Sequence, residues 1–423
     1  MTQIKAFKAV HYNPKKIEDF SQVVCPPYDV ISPEDQLAFH NAHSNNFIRI
    51  LLGLEKSRDN SYDNKYTRAK KLFTEWTKKN ILTEDEKTCL YIYKQEYKVC
   101  GQRKGRIGFL GLMKLEDKEK SKIFPHENTH MPAKQDRLRL WRNVKANLSP
   151  IFVCFSDRYK KTEKIFYDFI AGNEPFIDIV DKEEVRHIVW RMADAKLIED
   201  VKALMADQLL FIADGHHRYE VALEYKKSRL KRKKKSTGKE CFNFIMTYFT
   251  NLESRNLDIL PIHRVVKKFP VAKIDFLEEF FRIDKIKTAN DLRIMLGKAG
   301  QNEHAFGLYT RDGIKLLRLK NRMLIHEHIN EGSEEYKRLD AMILKTFVFD
   351  RLNIATDQVI YKKDLNEAFK MVDQKKAAAC FVMNPVSIQQ LKAVALNGEK
   401  MPPKTTYFYP KVLSGLTIHK MNS

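Results

Sequence analysis

Residues 207–213 (Asp-Gln-Leu-Leu-Phe-Ile-Ala) run directly into Asp214-Gly215-His216-His217-Arg218-Tyr219-Glu220. No other stretch constrains the fold as strongly. An apolar run of strand length ends at a glycine. Residues 218–227 then interleave Tyr219, Ala222, Leu223 and Tyr225 with charges, which predicts a helix. A buried strand entering a helix through glycine brings backbone N–H groups and the positive helix end to one point. His216, His217 and Arg218 add side-chain donors, and Asp214 supplies the turn's one negative charge. The combination suits an anion, most simply a phosphate, and leaves Asp214 to hold a metal ion or a hydroxyl. The plainer alternative is a polar junction without function. Two adjacent histidines and an arginine after Asp-Gly argue against it.

Around this junction the pattern predicts an α+β chain. Residues 4–10 alternate as a first strand. In residues 23–34, Pro26 and Pro27 stiffen the backbone before Tyr28 and Asp29. Ser32 then caps a helix, with Pro33 at its start and Asp35 at the third position. This loop reads either as the wall of a site or as a plain corner. Residues 45–52, with Asn46 and Arg49, are expected to form a strand with a polar entrance, and residues 62–80 an amphipathic helix. Residues 89–97 and 106–114 read as a hairpin, 134–142 as a basic helix and 147–155 as a strand. Residues 161–171 read as a helix, 187–192 as a strand and 194–207 as a helix. Residues 241–249 and 259–265 are strongly β in character. The latter stretch carries His263 and Arg264, a second His-Arg pair, read either as anion-binding or as part of a surface strand. From residue 271 the character changes: helices are expected over 274–281, 289–299, 334–352 and 386–395, with a hairpin around Asp312-Gly313 and a strand over 377–382. The chain thus divides into a domain of residues 1–268 and a smaller α+β domain of residues 269–423. The end, Met401-Pro402-Pro403-Lys404-Thr405-Thr406-Tyr407-Phe408-Tyr409-Pro410-Lys411, is proline-stiffened and rich in phosphate-binding groups, and reads as a segment that folds back over the site or as a structural tail against the first domain.

His126-Glu127-Asn128-Thr129-His130 matches the zinc-protease pattern letter for letter. That chemistry needs both histidines on one face of a long helix. Pro132 and the Asn-Thr pair oppose such a helix. The second reading makes Glu127 a general base or Mg²⁺ ligand, with His126 and Thr129 beside it, and the third makes the stretch a structural loop. No Walker loop or dinucleotide fingerprint occurs.

Composition narrows the class. The chain has 423 residues and 43% hydrophobic content, enough for a packed core. No apolar run reaches the ~20 residues of a membrane span. No apolar leader follows Met1. The six cysteines are scattered, so a reduced cytoplasmic protein is the default expectation. The formal charge of +22 favours anionic partners. Much of it lies in the run 226–239, read as a solvated loop or as a targeting or nucleic-acid patch.

CPPYDVIS, HENTH, NLSPIF, ADGHHRYE and MPPKTTYFYPK together resemble a widespread family once catalogued only as a domain of unknown function. The Asp214–Arg218 stretch resembles the signature loop of the ParB/sulfiredoxin-like superfamily. The resemblance covers nearly the whole chain and extends to pyrophosphate-dependent L-serine kinases. It implies a mixed-sheet ParB/sulfiredoxin-like core with added helices. It implies transfer of a phosphoryl group from pyrophosphate to L-serine, giving O-phospho-L-serine and phosphate, with Mg²⁺ or another divalent cation. Gly215, His216, His217 and Arg218 would then bind the donor phosphates, with Lys404 and Thr405. Asp214 would contact Mg²⁺ or orient the serine hydroxyl, and Glu127 would be the general base. Tyr28, Asp29, Asn46, Arg49, His126, Thr129, His263 and Arg264 are the candidates for holding the amino acid. ATP and ADP present the same diphosphate to a His-His-Arg cradle, so both stay open as donors. A ParB-like nucleic-acid-binding protein and a zinc hydrolase are the competing classes. The first lacks a visible helix-turn-helix unit.

Overall fold

The computed structural model describes residues 2–116, 121–233 and 235–421. Lys234, within the basic run 226–239, lies outside them. The chain forms two units. The first holds residues up to 125, 129–257 and from 410 onward; the second holds 126–128 and 258–409. The sequence division at 268/269 therefore shifts to 257/258, and the last residues group with the first unit.

The first unit is built on a nine-stranded sheet. In chain order its strands are β1 (Ile4–Lys5), β2 (Leu90–Val99), β3 (Gln102–Lys114), β4 (Ile123–Phe124), β5 (Ile151–Phe155), β6 (Ile177–Val180), β7 (Arg186–Met192), β8 (Leu210–Asp214) and β9 (Phe244–Asn251). Their order in the sheet is β4-β8-β5-β9-β3-β2-β7-β6, with β1 beside β3. β8 runs parallel to β4, and β9 parallel to β5. The remaining pairs are antiparallel, so the sheet is mixed. β2 and β3 form the expected hairpin, turning at Cys100 and Gly101 in left-handed conformations. Gly108 matters to the pairing: a Cβ there would stand 2.1 Å from the Phe249 carbonyl oxygen, so only glycine lets β3 and β9 pair at this point.

Helices α1 (Pro33–Ala42), α2 (Lys65–Lys78), α3 (Met131–Val144), α4 (Lys161–Ala171), α5 (Ala195–Met205) and α6 (His216–Leu230) belong to this unit. α1 opens with the Ser32/Asp35 capping box expected from sequence. α3 packs on α6, and α2 on α3. α6 buries Tyr219, Val221, Ala222 and Tyr225 into a core that includes Ile151, Val153, Ile212 and Phe249. Residues after 410 thread through the unit by backbone pairs Cys25 with Ser414, Val10 with Ile418 and Asn147 with His419.

The second unit holds a six-stranded antiparallel sheet of β10 (His263–Val266), β11 (Phe281–Ile286), β12 (Ala305–Thr310), β13 (Gly313–Leu319), β14 (Val359–Lys362) and β15 (Ala379–Val382). Their order is β11-β13-β12-β15-β10-β14. α7 (Ala289–Ala299), α8 (Leu365–Asp373) and α9 (Ile388–Leu396) accompany it. Leu292, Leu296, Ala368 and Val372 from α7 and α8 meet Val265, Leu316 and Cys380 in one apolar core.

Three expectations are corrected. Residues 45–52 are not a strand: Ile48–Leu51 is a short helical turn, with Ile48, Ile50 and Leu51 buried. A short apolar run carries no period long enough to separate the two forms. Residues 274–281 are not an α-helix, since a 3₁₀ stretch (Val271–Glu279) leads into strand β11. Residues 334–352 are not one helix but three pieces, Glu334–Lys337, Asp340–Leu344 and a π-helical Lys345–Phe349. Among the described residues no helix is long and apolar enough to cross a membrane.

Candidate functional site

β8 delivers Asp214 to the sheet edge, and the pairing register with β5 shifts between Ile212 and Asp214. A bulge of this kind re-aims the side chain that follows it. Gly215 then takes φ +91°, and a Cβ there would meet Arg218 and Ile151 at 3.0 Å. Glycine is required twice over, for the left-handed backbone and for the space into which Arg218 folds back.

Arg218 is buried. Its Nη2 donates to Asp214 Oδ2 at 2.5 Å, and its Nη1 donates to Ser149 Oγ at 2.9 Å and to the Pro150 carbonyl. Lys411 Nζ donates to the other carboxylate oxygen, Asp214 Oδ1, at 2.5 Å. Burial pushes the Asp214 carboxyl upward, but Lys411 and Arg218 outweigh it and, with His216, hold the carboxyl far below the usual carboxylate range. Ser414 Oγ donates to Ser149 Oγ at 2.9 Å, joining the C-terminal segment to the NLSPIF motif.

A second layer positions Lys411. Gln95 Nε2 donates to the Lys411 carbonyl at 2.9 Å. The fully buried Arg106 bonds Gln95 and the Pro410 carbonyl, and its guanidinium lies 4.6 Å from the centre of the Phe152 ring. Phe152 is the register partner of Asp214. Gln95 and Arg106 thus link the sheet to the backbone that carries Lys411.

Other expected residues occupy different situations. Tyr28 is half-buried under Arg137, whose guanidinium lies 4.2 Å from the ring centre. Both line a cavity of about 30 Å³ with Ser149 and Arg218. Burial raises the Tyr28 hydroxyl well above the usual phenol value, and Asp29 adds to the rise. Asp29 itself is exposed. Asn46 is fully buried, and its side chain bonds the backbone of Gln22, Val24 and Ile48. Arg49 donates to the His40 carbonyl. His217 Nε2 accepts from the His130 backbone N–H at 2.9 Å, and the two rings lie near-parallel at 6.1 Å. Thr129 Oγ1 donates to Glu220, which also receives Lys134.

Within the second unit, Glu127 is half-buried and its Oε1 accepts the Lys404 backbone N–H at 2.8 Å. His126 is buried, with Nε2 3.2 Å from Thr406 Oγ1. Lys404 is exposed, with φ +57°, while the Thr405 hydroxyl is buried and donates to the Pro402 carbonyl at 2.6 Å. His263 and Arg264 are buried in β10. Burial lowers His263 to about 4 and Arg264 to about 10. The His126-x-x-x-His130 pattern does not lie on a helix: His130 is the N-cap of α3, and residues 125–129 carry no helical turn. The zinc-hydrolase alternative loses the geometry it needs.

Sequence reasoning offered Lys411 only as one of the phosphate-binding groups of the C-terminal stretch, and it passed over Ser149 and Ser414 as site residues. Lys411 and Ser149 stood inside the quoted motifs, so a signal was present. Its pairing with Asp214 was not.

The family profile described as "Protein of unknown function (DUF1015)" matches residues 4–342. The chain belongs to this family. No curated protein matches it. Among solved structures, the chain is similar to a conserved hypothetical protein from Pyrococcus furiosus, at 14% identity and a TM-score of 0.35, covering 71% of this chain and 91% of that one. It is similar to a free serine kinase in complex with AMP, at 14% identity and a TM-score of 0.35, covering 70% and 86%. It is similar to SbnI with C-terminal truncation from Staphylococcus aureus, at 12% identity and a TM-score of 0.36, covering 72% and 85%.

Proposed function

We propose that this member of the family is a phosphotransferase that moves a phosphoryl group from pyrophosphate to the hydroxyl of free L-serine, on a ParB/sulfiredoxin-like core. One observation carries the reading: two cations, the buried Arg218 and the half-buried Lys411, share a single carboxylate at the start of α6. The arrangement gathers two cationic side chains and a helix start around one poorly solvated carboxylate. A phosphate oxygen there would accept from those cations and from the N–H groups of the helix start. Four of the quoted motifs meet within the first unit. CPPYDVIS contributes Tyr28, NLSPIF contributes Ser149, ADGHHRYE contributes Asp214 and Arg218, and the C-terminal motif contributes Lys411.

In the reaction the serine Oγ–P bond forms, the bridging P–O bond of pyrophosphate breaks, and the hydroxyl proton passes to a base. Such chemistry asks mainly for positioning and charge stabilisation. Arg218, Lys411, His216 and His217 would hold the donor. Asp214 is held too acidic to serve as a good base, so its role would be to orient the hydroxyl. Glu127 is the proposed proton acceptor, with His126 and Thr129 as its neighbours in sequence. Tyr28, Asp29 and Arg49 are proposed for the amino acid's charged groups.

Among the described residues no three His, Cys, Asp or Glu side chains could hold a metal ion together. Asp214 is a single carboxylate already bridged to two cations, so it suits Mg²⁺ only as the ion that a bound phosphate brings with it. Such an ion would neutralise phosphate charge, with Asp214 as its protein ligand.

The test is phosphorus NMR on the purified protein with L-serine and Mg²⁺, with pyrophosphate, ATP or ADP in separate tubes. A phosphoserine signal with pyrophosphate alone is expected. Phosphoserine only with a nucleotide keeps the kinase and replaces the donor. No phosphoserine in any tube overturns the reading.

A further inference from the structure

The far end of α6 borders a second cavity of about 410 Å³. The helix has 15 residues, about 22 Å at 1.5 Å per residue, so this cavity is separate from the Asp214 cluster. Its apolar side is made by Tyr225, Phe242 and Met421, all mostly buried. Met421 is fixed in place: Trp141 Nε1 donates to its sulfur at 3.1 Å, and its N–H donates to the Lys145 carbonyl at 2.9 Å. The other side is cationic, with Arg229, Arg232, Lys233 and Lys145. Arg229 and Lys233 lie 6.0 Å and 5.9 Å from the centre of the Phe242 ring. Glu240 is the cavity's one carboxylate. It is occupied by Lys233 at 2.9 Å, Ser236 at 3.0 Å, the Thr237 N–H at 2.9 Å and Asn243 at 2.8 Å. No described carboxylate is paired to Arg229, Arg232 or Lys145. Three cations thus stand unmatched beside an aromatic wall, in a volume within the roughly 300–1,000 Å³ range of small-molecule sites.

We infer that this cavity binds a small anion carrying a flat aromatic body, the chemistry of a nucleoside monophosphate. The aromatic side takes the ring and the arginines take the phosphate. The first part of the basic run 226–239 then has a function beyond solvation, as one wall of a binding site. The inference stands apart from the proposed kinase activity.

Calorimetric titration of the full chain with AMP tests it, against adenosine and inorganic phosphate, in wild type, R229Q/R232Q and K411A. One AMP per chain is expected, with adenosine and phosphate at least roughly tenfold weaker, since each probe meets only one side of the cavity. R229Q/R232Q is expected to weaken AMP by at least tenfold and to leave phosphoserine formation unchanged. K411A is expected to bind AMP as wild type does. Equal AMP affinity in wild type and R229Q/R232Q, loss of binding in K411A, or no AMP binding at all would each overturn the inference.

Discussion

Two stretches of this chain carry histidine next to arginine after an apolar run, and the structure treats them in opposite ways. At His216-His217-Arg218 the guanidinium meets Asp214 at a helix start, and the ammonium of Lys411 holds the other oxygen of the same carboxylate. At His263-Arg264 the guanidinium is buried within β10 and donates to the carbonyls of Ile262 and Lys404, with the Tyr361 ring 5.6 Å away. His263 likewise turns inward, accepting the Met383 N–H at 3.2 Å. The first arrangement concentrates charge where a ligand can neutralise it. The second spends its donors on the backbone, and burial pulls both groups toward their neutral forms, with the Arg264 charge adding to the effect on His263. The pair of residue types therefore carries little information by itself; the neighbouring carboxylate and helix start make the difference.

That contrast is sharpest at Asp214. Asp214→Asn is expected to lower phosphoserine formation by about 10³-fold or more. It should also cost about 3–5 kcal/mol of stability, because the buried Arg218 loses the carboxylate it is paired with. Phosphorus NMR rates and thermal unfolding check both. Next comes a direct comparison of Arg218→Met with Arg264→Met. The first is expected to slow transfer by about 10²-fold or more. The second should stay within about threefold in rate and about 1–2 kcal/mol in stability, since an apolar side chain of similar length suits its site. The reverse order of effects would break the comparison.

Within the C-terminal motif, Lys411→Ala is expected to cost about 10²-fold in kcat/KM. Lys404→Ala, at an exposed side chain, should cost less than tenfold. Steady-state kinetics with varied pyrophosphate separates them.

The last effect is one of pH, and it falls on stability rather than on rate. Burial holds His263, in the second unit, and His419, in the first, at about 4. Unfolded histidine titrates near ~6.5, so the unfolded chain binds more protons between those values. Stability is therefore complete above about pH 6.5 and falls as pH drops toward 4, by up to ~3 kcal/mol per histidine. Denaturant titrations from pH 4 to 7 check the slope. Substituting His263 alone should remove only the second unit's share.

Elements with a long or punctuated pattern were legible in the sequence. Residues 161–171 and 289–299 form the expected helices, Ser32 caps α1 through Asp35, and β8 meets α6 at Gly215. Elements without such a pattern were not. Ile48, Ile50 and Leu51 are all buried in one helical turn, and an apolar run that short reads equally well as a strand. The predicted helix over 334–352 breaks after Lys337 because Arg338 and Leu339 leave the helical path before Asp340 starts the next piece. In the candidate site the local residues Asp214 to Arg218 could be named from sequence. The ammonium on Asp214 lies 197 residues away along the chain, and no local pattern joins such a pair.

The sequence by itself determined the strand–glycine–helix junction, its donors and its single carboxylate, because these follow from short-range periodicity and from the backbone freedom of one glycine. It also determined the family, through motifs spread over most of the chain. The tertiary structure alone decided which charges meet. It set Lys411 on Asp214, by threading the chain from residue 410 past Cys25, Val10 and Asn147 and fixing its backbone to Gln95 and Arg106. It buried Arg264 and Asn46 on backbone partners. Electrostatics and desolvation act over distances in space, and for residues so far apart in the chain only the folded arrangement sets those distances.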